Sequence, residues 1–143
     1  MKIDYAILAD HAEIVNNRLF LMGGGRDRFP VPRFPGAVRM AIAVGVRIEW
    51  DETNSRQEVL VLIEDEDGKE LVKIQAAVNV GRPAGLAPGS SQLAQFASAI
   101  SLNVQESGGF RARVLAGELD PLEQRLPFRV EEAPKQNQPH AHG

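Results

Sequence analysis

One stretch of thirteen residues restricts the fold of this chain more than any other feature. In segment 38–50 (VRMAIAVGVRIEW), every second residue is large and apolar, and the residues between them are small or charged. Successive side chains of a β-strand point to opposite faces, so a period of two predicts a long strand with one buried face. No segment keeps apolar residues at helical spacing for three turns. The sequence therefore predicts an all-β protein.

Shorter alternating segments predict the other strands, and turn residues separate them. These strands are expected at 3–9, 57–64, 70–80, 92–104, 110–114 and 122–130, with a short pair on either side of Asn16-Asn17. Asn16-Asn17 and the Asp-Gly pair in 65–68 are predicted hairpin turns, because these residues tolerate a positive φ. Asp10-His11 is a predicted bulge. Segment 91–100 also contains good helix formers, so a helix competes with the strand there.

About eight strands with turns at regular intervals predict one antiparallel β-sandwich, broadly immunoglobulin-like, over residues 1–132. Residues 133–143 are polar and contain prolines, which predicts a flexible C-terminal tail. If each connection reverses the chain, the loops alternate between two ends of the sandwich. Loop 24–37, the acidic turn 65–69 and the turn 105–109 are then expected at the same end.

Composition excludes several classes of function. The chain has 16 basic and 19 acidic residues and a net charge of −3, which argues against general binding to nucleic acid or to an anionic membrane. It has no cysteine, so disulfides, thiolate metal sites and a cysteine nucleophile are excluded. No secretory signal is evident at the N-terminus, so a cytoplasmic location is expected. The sequence suggests no cofactor.

The acidic turn Glu64-Asp65-Glu66-Asp67-Gly68 is the one candidate metal site. Calcium takes six to eight oxygen ligands, and Asp65 and Asp67 are two that an acidic loop offers. The distal glutamate and flanking helices of an EF-hand are missing. The alternative interpretation is a solvated hairpin turn whose carboxylates partly offset nearby arginines.

Loop 23–35 combines glycines, arginines and phenylalanines, and it predicts Arg26 and Arg28 as binding residues. Glycine N–H groups and arginines suit a phosphate, and phenylalanine suits a base. No Lys-Ser/Thr and no helix follow the glycines, so the loop is not a P-loop. The alternative is a proline-stiffened crossover between sheets, anchored in the core by Phe29 and Phe34.

Two further places in the sequence are candidates for function. Loop 81–91 is long and contains Arg82 and Leu86, a composition that suits a protein contact; a plain crossover between sheets is the alternative. His11 lies near Asp10 and Glu13, the only histidine close to carboxylates. On a strand, residues 11 and 13 share a face while residue 10 points away. No catalytic residue is therefore predicted, and an enzyme is the least favoured class.

Several short motifs together resemble an uncharacterised bacterial family of unknown function. The motifs are Asp4-Tyr5-Ala6, Leu8-Ala9-Asp10, Leu19-Phe20, Gly23-Gly24-Gly25, Trp50-Asp51-Glu52-Thr53-Asn54, the acidic turn and Leu126-Pro127-Phe128-Arg129-Val130. The resemblance covers residues 2–131. It implies a small all-β protein without an assigned activity, so no functional residues are carried over. This sequence has Asn16-Asn17 where the family has a glycine-containing turn.

The function expected from these observations is a non-catalytic interaction module that associates with itself or with a protein partner. The reason is the nearly uncharged segment 92–104, because a strand without charges is poorly protected against pairing with another strand. The alternative is a β-sandwich that binds a small ligand or calcium at the acidic turn.

Overall fold

The computed structural model describes residues 1–117 and 121–134, and these residues form ten β-strands and one short 3-10 helix. The strands are β1 (Lys2–Ala9), β2 (His11–Val15), β3 (Arg18–Met22), β4 (Arg28–Val31), β5 (Gly36–Ile48), β6 (Gln57–Asp65), β7 (Glu70–Val78), β8 (Gln92–Val104), β9 (Gly108–Ala116) and β10 (Leu122–Glu132). The helix is Trp50–Glu52. The all-β class is confirmed.

The strands form three sheets, with a curled half-barrel among them. One sheet has the order β1-β5-β8, a second has the order β4-β10-β9-β6-β7, and β2 and β3 form a separate hairpin. The core lies between the two larger sheets. Alternate residues of β5, such as Ile42 and Val44, are fully buried there with Val61 and Ile63 of β6 and Val114 of β9. Each such side chain contributes about 1.5–3 kcal/mol of burial free energy.

Strand β5 is buried on both faces, whereas its alternation predicted one buried face. Ala41 and Ala43, on the face that points away from the core, are 3% and 0% exposed. Strand β2 of the hairpin packs against β5 and β8. Gly45, on the same face, leaves room for the ring of Tyr5. Small side chains on this face therefore let a third layer pack closely on the sheet.

The predicted turns are confirmed. Asn16 and Asn17 have φ values of 52° and 58°, as in a type I′ hairpin turn, and β2 and β3 pair across them. Gly68 has a φ of 83° in the turn between β6 and β7. Segment 92–104 is a strand along its whole length, so the competing helix at 91–100 is not formed.

The structure differs from the prediction in three respects. The expected strand number was about eight, and the described ranges contain ten. Part of the predicted loop 24–37 is strand β4, which pairs in parallel with β10, so the sheets are not wholly antiparallel. Asp10 is a bend between β1 and β2, at which the chain leaves one sheet for the hairpin. Residues 118–120, between the predicted strands 110–114 and 122–130, and residues 135–143 of the predicted tail lie outside the described residues.

Candidate functional site

The loops expected at one end of the molecule do meet there. Arg28 at the start of β4, Glu66 of the acidic turn and Gly109 at the start of β9 line one cleft of about 410 Å³. Glu66 also lies 3.7 Å from the guanidinium of Arg129 on β10. We call this site the arginine cleft. Its lining residues are Asp27, Arg28, Glu66, Gly109, Phe110, Arg111, Pro127, Phe128 and Arg129.

Aromatic rings lie beneath the arginine cleft, on the core side of the sheet that carries its arginines. The rings of Phe110 and Phe128 stack with centroids 5.6 Å apart and planes 18° apart. Phe29 meets Phe128 edge-on at 5.5 Å and fixes it from the core side. Phe128 is buried, whereas Phe110 is only half-buried. These rings therefore support the floor of the cleft from the core side of the sheet.

Two arginines at the cleft lie side by side on neighbouring strands. In the parallel pairing of β4 with β10, Arg28 is the register partner of Arg129. Their side chains are 74% and 52% exposed, and the nearest carboxylates in the part of the chain that the structure describes, those of Glu131 and Glu66, are each 3.7 Å away. At that distance the guanidinium groups keep most of their hydrogen-bonding capacity.

A neighbouring network of charges, by contrast, is closely paired. Glu64 accepts a hydrogen bond from Arg111 at 2.7 Å and another from Arg113 at 3.2 Å. The Arg111 hydrogen bond lowers the pKa of Glu64, with Arg113 adding to the effect, although burial opposes it. Arg113 also donates to Glu123 at 2.5 Å, and this bond lowers the pKa of Glu123. This network holds strands β6, β9 and β10 together on the outer face.

Arg26, one of the predicted binding residues, is used to hold its own loop. It forms an ion pair with Asp10 and donates to the main-chain oxygen of Arg28 at 2.7 Å. Its guanidinium also lies 4.8 Å from the centre of the Phe29 ring. Arg26 therefore fastens the chain between the hairpin and β4, while Arg28 lines the cleft.

Arg82 has a similar role at the opposite end. Its guanidinium stacks 4.0 Å from the centre of the Trp50 ring and donates to the main-chain oxygen of Trp50 at 2.9 Å. It also donates to the Thr53 hydroxyl at 2.8 Å. Leu86 is half-buried in a loop that crosses from one large sheet to the other. Neither Arg82 nor Leu86 is among the residues that line the arginine cleft. Arg82 instead makes contacts that hold its own loop in place.

The candidate metal ligands Asp65 and Asp67 belong to a tightly bonded turn. The Asp65 carboxylate accepts the N–H groups of Asp67 at 3.0 Å and Lys69 at 2.9 Å. Over residues 1–117 and 121–134, no group of three or more His, Asp and Glu side chains is arranged to hold a metal ion. The geometry accounts for Asp65 as part of the hairpin turn.

His11 and its neighbouring carboxylates do not converge. His11 lies 3.9 Å from Glu13, and both side chains are more than half exposed on the outer face of the hairpin. Asp10 points elsewhere and pairs with Arg26. The three groups therefore do not form one site.

The edges of the sheets provide a second candidate for function. Within the described ranges, strand β8 lies at the edge of its sheet and pairs only with β5, and it has no charged residue among its thirteen. Ala99, Ser101 and Asn103 are exposed along its C-terminal half. At its N-terminal half, Gln95 donates to the main-chain oxygen of Asn17, which holds the hairpin over the sheet.

A comparison with known protein families identifies the family of this chain. The model of a family of unknown function (DUF6941) matches residues 4–131. The chain belongs to this family. The resemblance that the N-terminal and C-terminal motifs indicated is thereby confirmed. Membership brings no assigned activity, so the function of a member has to be argued from its own residues.

The other comparisons give distant similarities. The X-ray structure of a structural-genomics target, SoR45, is 14% identical, with 97% of this chain and 94% of that chain covered and a TM-score of 0.33. A Bordetella pertussis protein provisionally named ApaA is 17% identical, with 92% and 95% covered and a TM-score of 0.33. A search of curated proteins gave no match. Across the described ranges, no helix has the length and apolar character needed to cross a membrane.

Proposed function

We propose that this chain is a non-catalytic interaction module that associates with a second copy of itself through strand β8. The observation that supports the proposal is the edge formed by β8, which is thirteen residues long and carries no charge. An edge strand presents unpaired N–H and C=O groups, to which another strand can bind.

The other edges of the two large sheets carry features that oppose such pairing. Strand β4 has only four residues and contains Pro30, which has no N–H to donate. Strand β7 carries charges at Glu70 and Lys73, and β1 carries charges at Lys2 and Asp4. Charged side chains and proline on an edge discourage another strand from binding. Strand β8 differs from them because it has none of these features.

A second copy is the partner that suits this edge best. Two antiparallel copies of β8 related by a two-fold axis would place neutral side chains opposite neutral side chains, so no like charges would repel. The exposed C-terminal half, with Ser101 near its middle, is the accessible part because the hairpin is held over Gln95. The pairing would join two three-stranded sheets into one continuous sheet.

The test is the mass of the protein in solution, measured by light scattering coupled to size-exclusion chromatography at micromolar concentration. The unaltered chain is expected to be a dimer. Ser101→Lys introduces a charge at the accessible half of β8 and is expected to give a monomer. Gln75→Lys, at an exposed position of edge strand β7, is the matched control and should leave the dimer intact.

Two results would overturn the proposal. A monomer at every concentration would show that the chain does not associate. A dimer that persists in Ser101→Lys would place the contact away from β8. Circular dichroism of both variants checks that the fold is retained, as expected for substitutions at exposed side chains.

Two finer expectations stay predictions under this proposal. One is a cytoplasmic location, and the other is that the strands form a β-sandwich of the immunoglobulin-like kind. Association with a different protein through the same edge also stays open to test, since β8 would offer that partner the same unpaired main chain.

A further inference from the structure

We propose that each copy in the β8 association places its Phe96 ring in a cleft at the end of β8 in the other copy. This inference rests on the proposed function, because it describes how the second copy binds at the β8 edge. The cleft has a volume of about 450 Å³ and lies between the acidic turn and the turn that follows β8. Leu71, Val104 and Glu106 are among the residues that line it. We call it the end cleft.

The exposed side chains of β8 indicate the register of the pairing. Ala99, Ser101 and Asn103 are the exposed residues of its C-terminal half. Directly opposed residues of antiparallel strands have their side chains on the same face of the sheet. A two-fold axis through Ser101 pairs all three exposed residues, with Ala99 of each copy opposite Asn103 of the other. This register also places Phe96 of each copy opposite Glu106 of the other.

Phe96 is an aromatic side chain that its own chain covers only in part. It lies on the core face of β8 and is half-buried, whereas Ile100 and Leu102 on the same face are 2% and 3% exposed. The hairpin does not cover the ring, because the hairpin packs on the opposite face of the sheet, where Gln95 holds it. A half-buried aromatic ring on an edge strand is suited to anchor a protein interface.

The end cleft offers apolar surface where the register brings this ring. Val104 is the last residue of β8 and lines the cleft together with Leu71 and Phe110. Leu71 is 37% exposed, so part of this surface is open to solvent. Phe96 of the second copy would lie two residues beyond Val104 on the same face. Burial of the ring strengthens the association, since two strands held by main-chain hydrogen bonds alone are marginally stable.

The same register brings two charged side chains together. Arg18 is the first residue of β3 and follows Asn17, whose main-chain oxygen accepts a hydrogen bond from Gln95. Within the described ranges, neither the Arg18 nor the Glu106 side chain makes an ion pair or a hydrogen bond. Gln95 of one copy lies opposite residue 107 of the other, so Arg18 is expected beside Glu106. Complementary charges of this kind favour one register over others.

The experiment measures the dissociation constant of the dimer by sedimentation velocity over a dilution series. Phe96→Ala is expected to raise this constant at least about tenfold, because an anchoring aromatic ring is lost. Phe20→Ala is the matched control, since Phe20 is 49% exposed on the outer face of the hairpin and should leave the constant unchanged. Circular dichroism checks that Phe96→Ala keeps the fold.

A charge swap tests the register with substitutions at exposed positions only. Arg18→Glu and Glu106→Arg are each expected to raise the dissociation constant about fivefold, and the double variant is expected to restore it. Lys2→Glu, on the opposite edge of the same sheet, is the control for a change of charge and should have no effect. If Phe96→Ala does not fold, the charge swap alone decides.

The outcomes separate this inference from the proposed function. A chain that is monomeric at every concentration would overturn both. A dimer that Ser101→Lys dissociates, but that neither Phe96→Ala nor the charge reversals weaken, would overturn the inference and leave association through β8 intact. A double charge variant that associates no more tightly than the single variants would also overturn the inference.

Discussion

Replacing Gly45 by alanine tests how the outer face of β5 is packed. A Cβ at this position would overlap the ring of Tyr5, which lies across Gly45 and donates its hydroxyl hydrogen to Gln95 at 2.7 Å. The ring would have to move, because carbon atoms cannot approach so closely. The hydrogen bond that joins β1 to β8 across β5 would then be lost.

The size of the effect follows from three contributions. Overpacking a filled site costs about 1–3 kcal/mol. Loss of the hydrogen bond between Tyr5 and Gln95 costs about 0.5–1.5 kcal/mol. Removing a glycine from a strand returns about 0.5–1 kcal/mol, because alanine loses less backbone entropy on folding. Gly45→Ala is therefore expected to lower the free energy of unfolding by about 2 kcal/mol.

A double-mutant cycle measured by urea unfolding checks the cause. In a Tyr5→Ala background there is no ring to displace, so Gly45→Ala should be neutral or stabilising. Tyr5→Phe in the unaltered background isolates the contribution of the hydroxyl group. If Gly45→Ala destabilises equally with and without the Tyr5 ring, the packing argument is wrong, because the energetic coupling between the two sites would be absent.

Three other predictions concern the core, the charged network and the hairpin. Ile42→Ala, at a fully buried position of β5, should cost about 2–5 kcal/mol in urea unfolding. Hydrogen bonds from Arg111 and Arg113 hold the folded pKa of Glu64 below its unfolded value of about 4.3. Glu64 therefore stabilises the fold above that pH, and this contribution is lost as the pH falls through the folded pKa. In Glu64→Gln, the urea midpoint should change less between neutral and acidic pH than in the unaltered chain. Asn17 has a φ of 58°, so Asn17→Gly should leave the thermal midpoint unchanged or higher, whereas Asn17→Val should cost about 1–2 kcal/mol.

Much of the fold was predictable because it depends on local patterns. A period of two over 38–50 or 92–104 specifies a strand wherever the strand lies in the molecule. The paired asparagines at 16–17 specify a turn, because few other residues adopt two consecutive positive φ values. Periodicity does not predict strand β4, because four residues are too few to show an alternating pattern and one of them is Pro30.

The arginine cleft was only partly predictable because it depends on register between distant segments. Arg28 was identified from its loop, but Arg129 and Gly109 became its neighbours only through the pairing of β10 with β4 and β9. Nothing local in the sequence specifies which residues of two strands lie opposite each other. The presence of an arginine in a loop is also a poor guide to a binding site, since Arg26 and Arg82 hold their own loops in place.

The small residues on the outer face of β5 indicate that this face is covered as well. A solvent-facing side of a strand is normally polar, yet Ala41, Ala43 and Gly45 are not. The hairpin covers these residues, but it does not extend over the C-terminal half of β8, where Ala99 and Ser101 are exposed. A strand that binds beside the C-terminal half of β8 would therefore meet no third layer. Under the proposed association, the position of the hairpin would determine which half of the uncharged edge a second copy reaches.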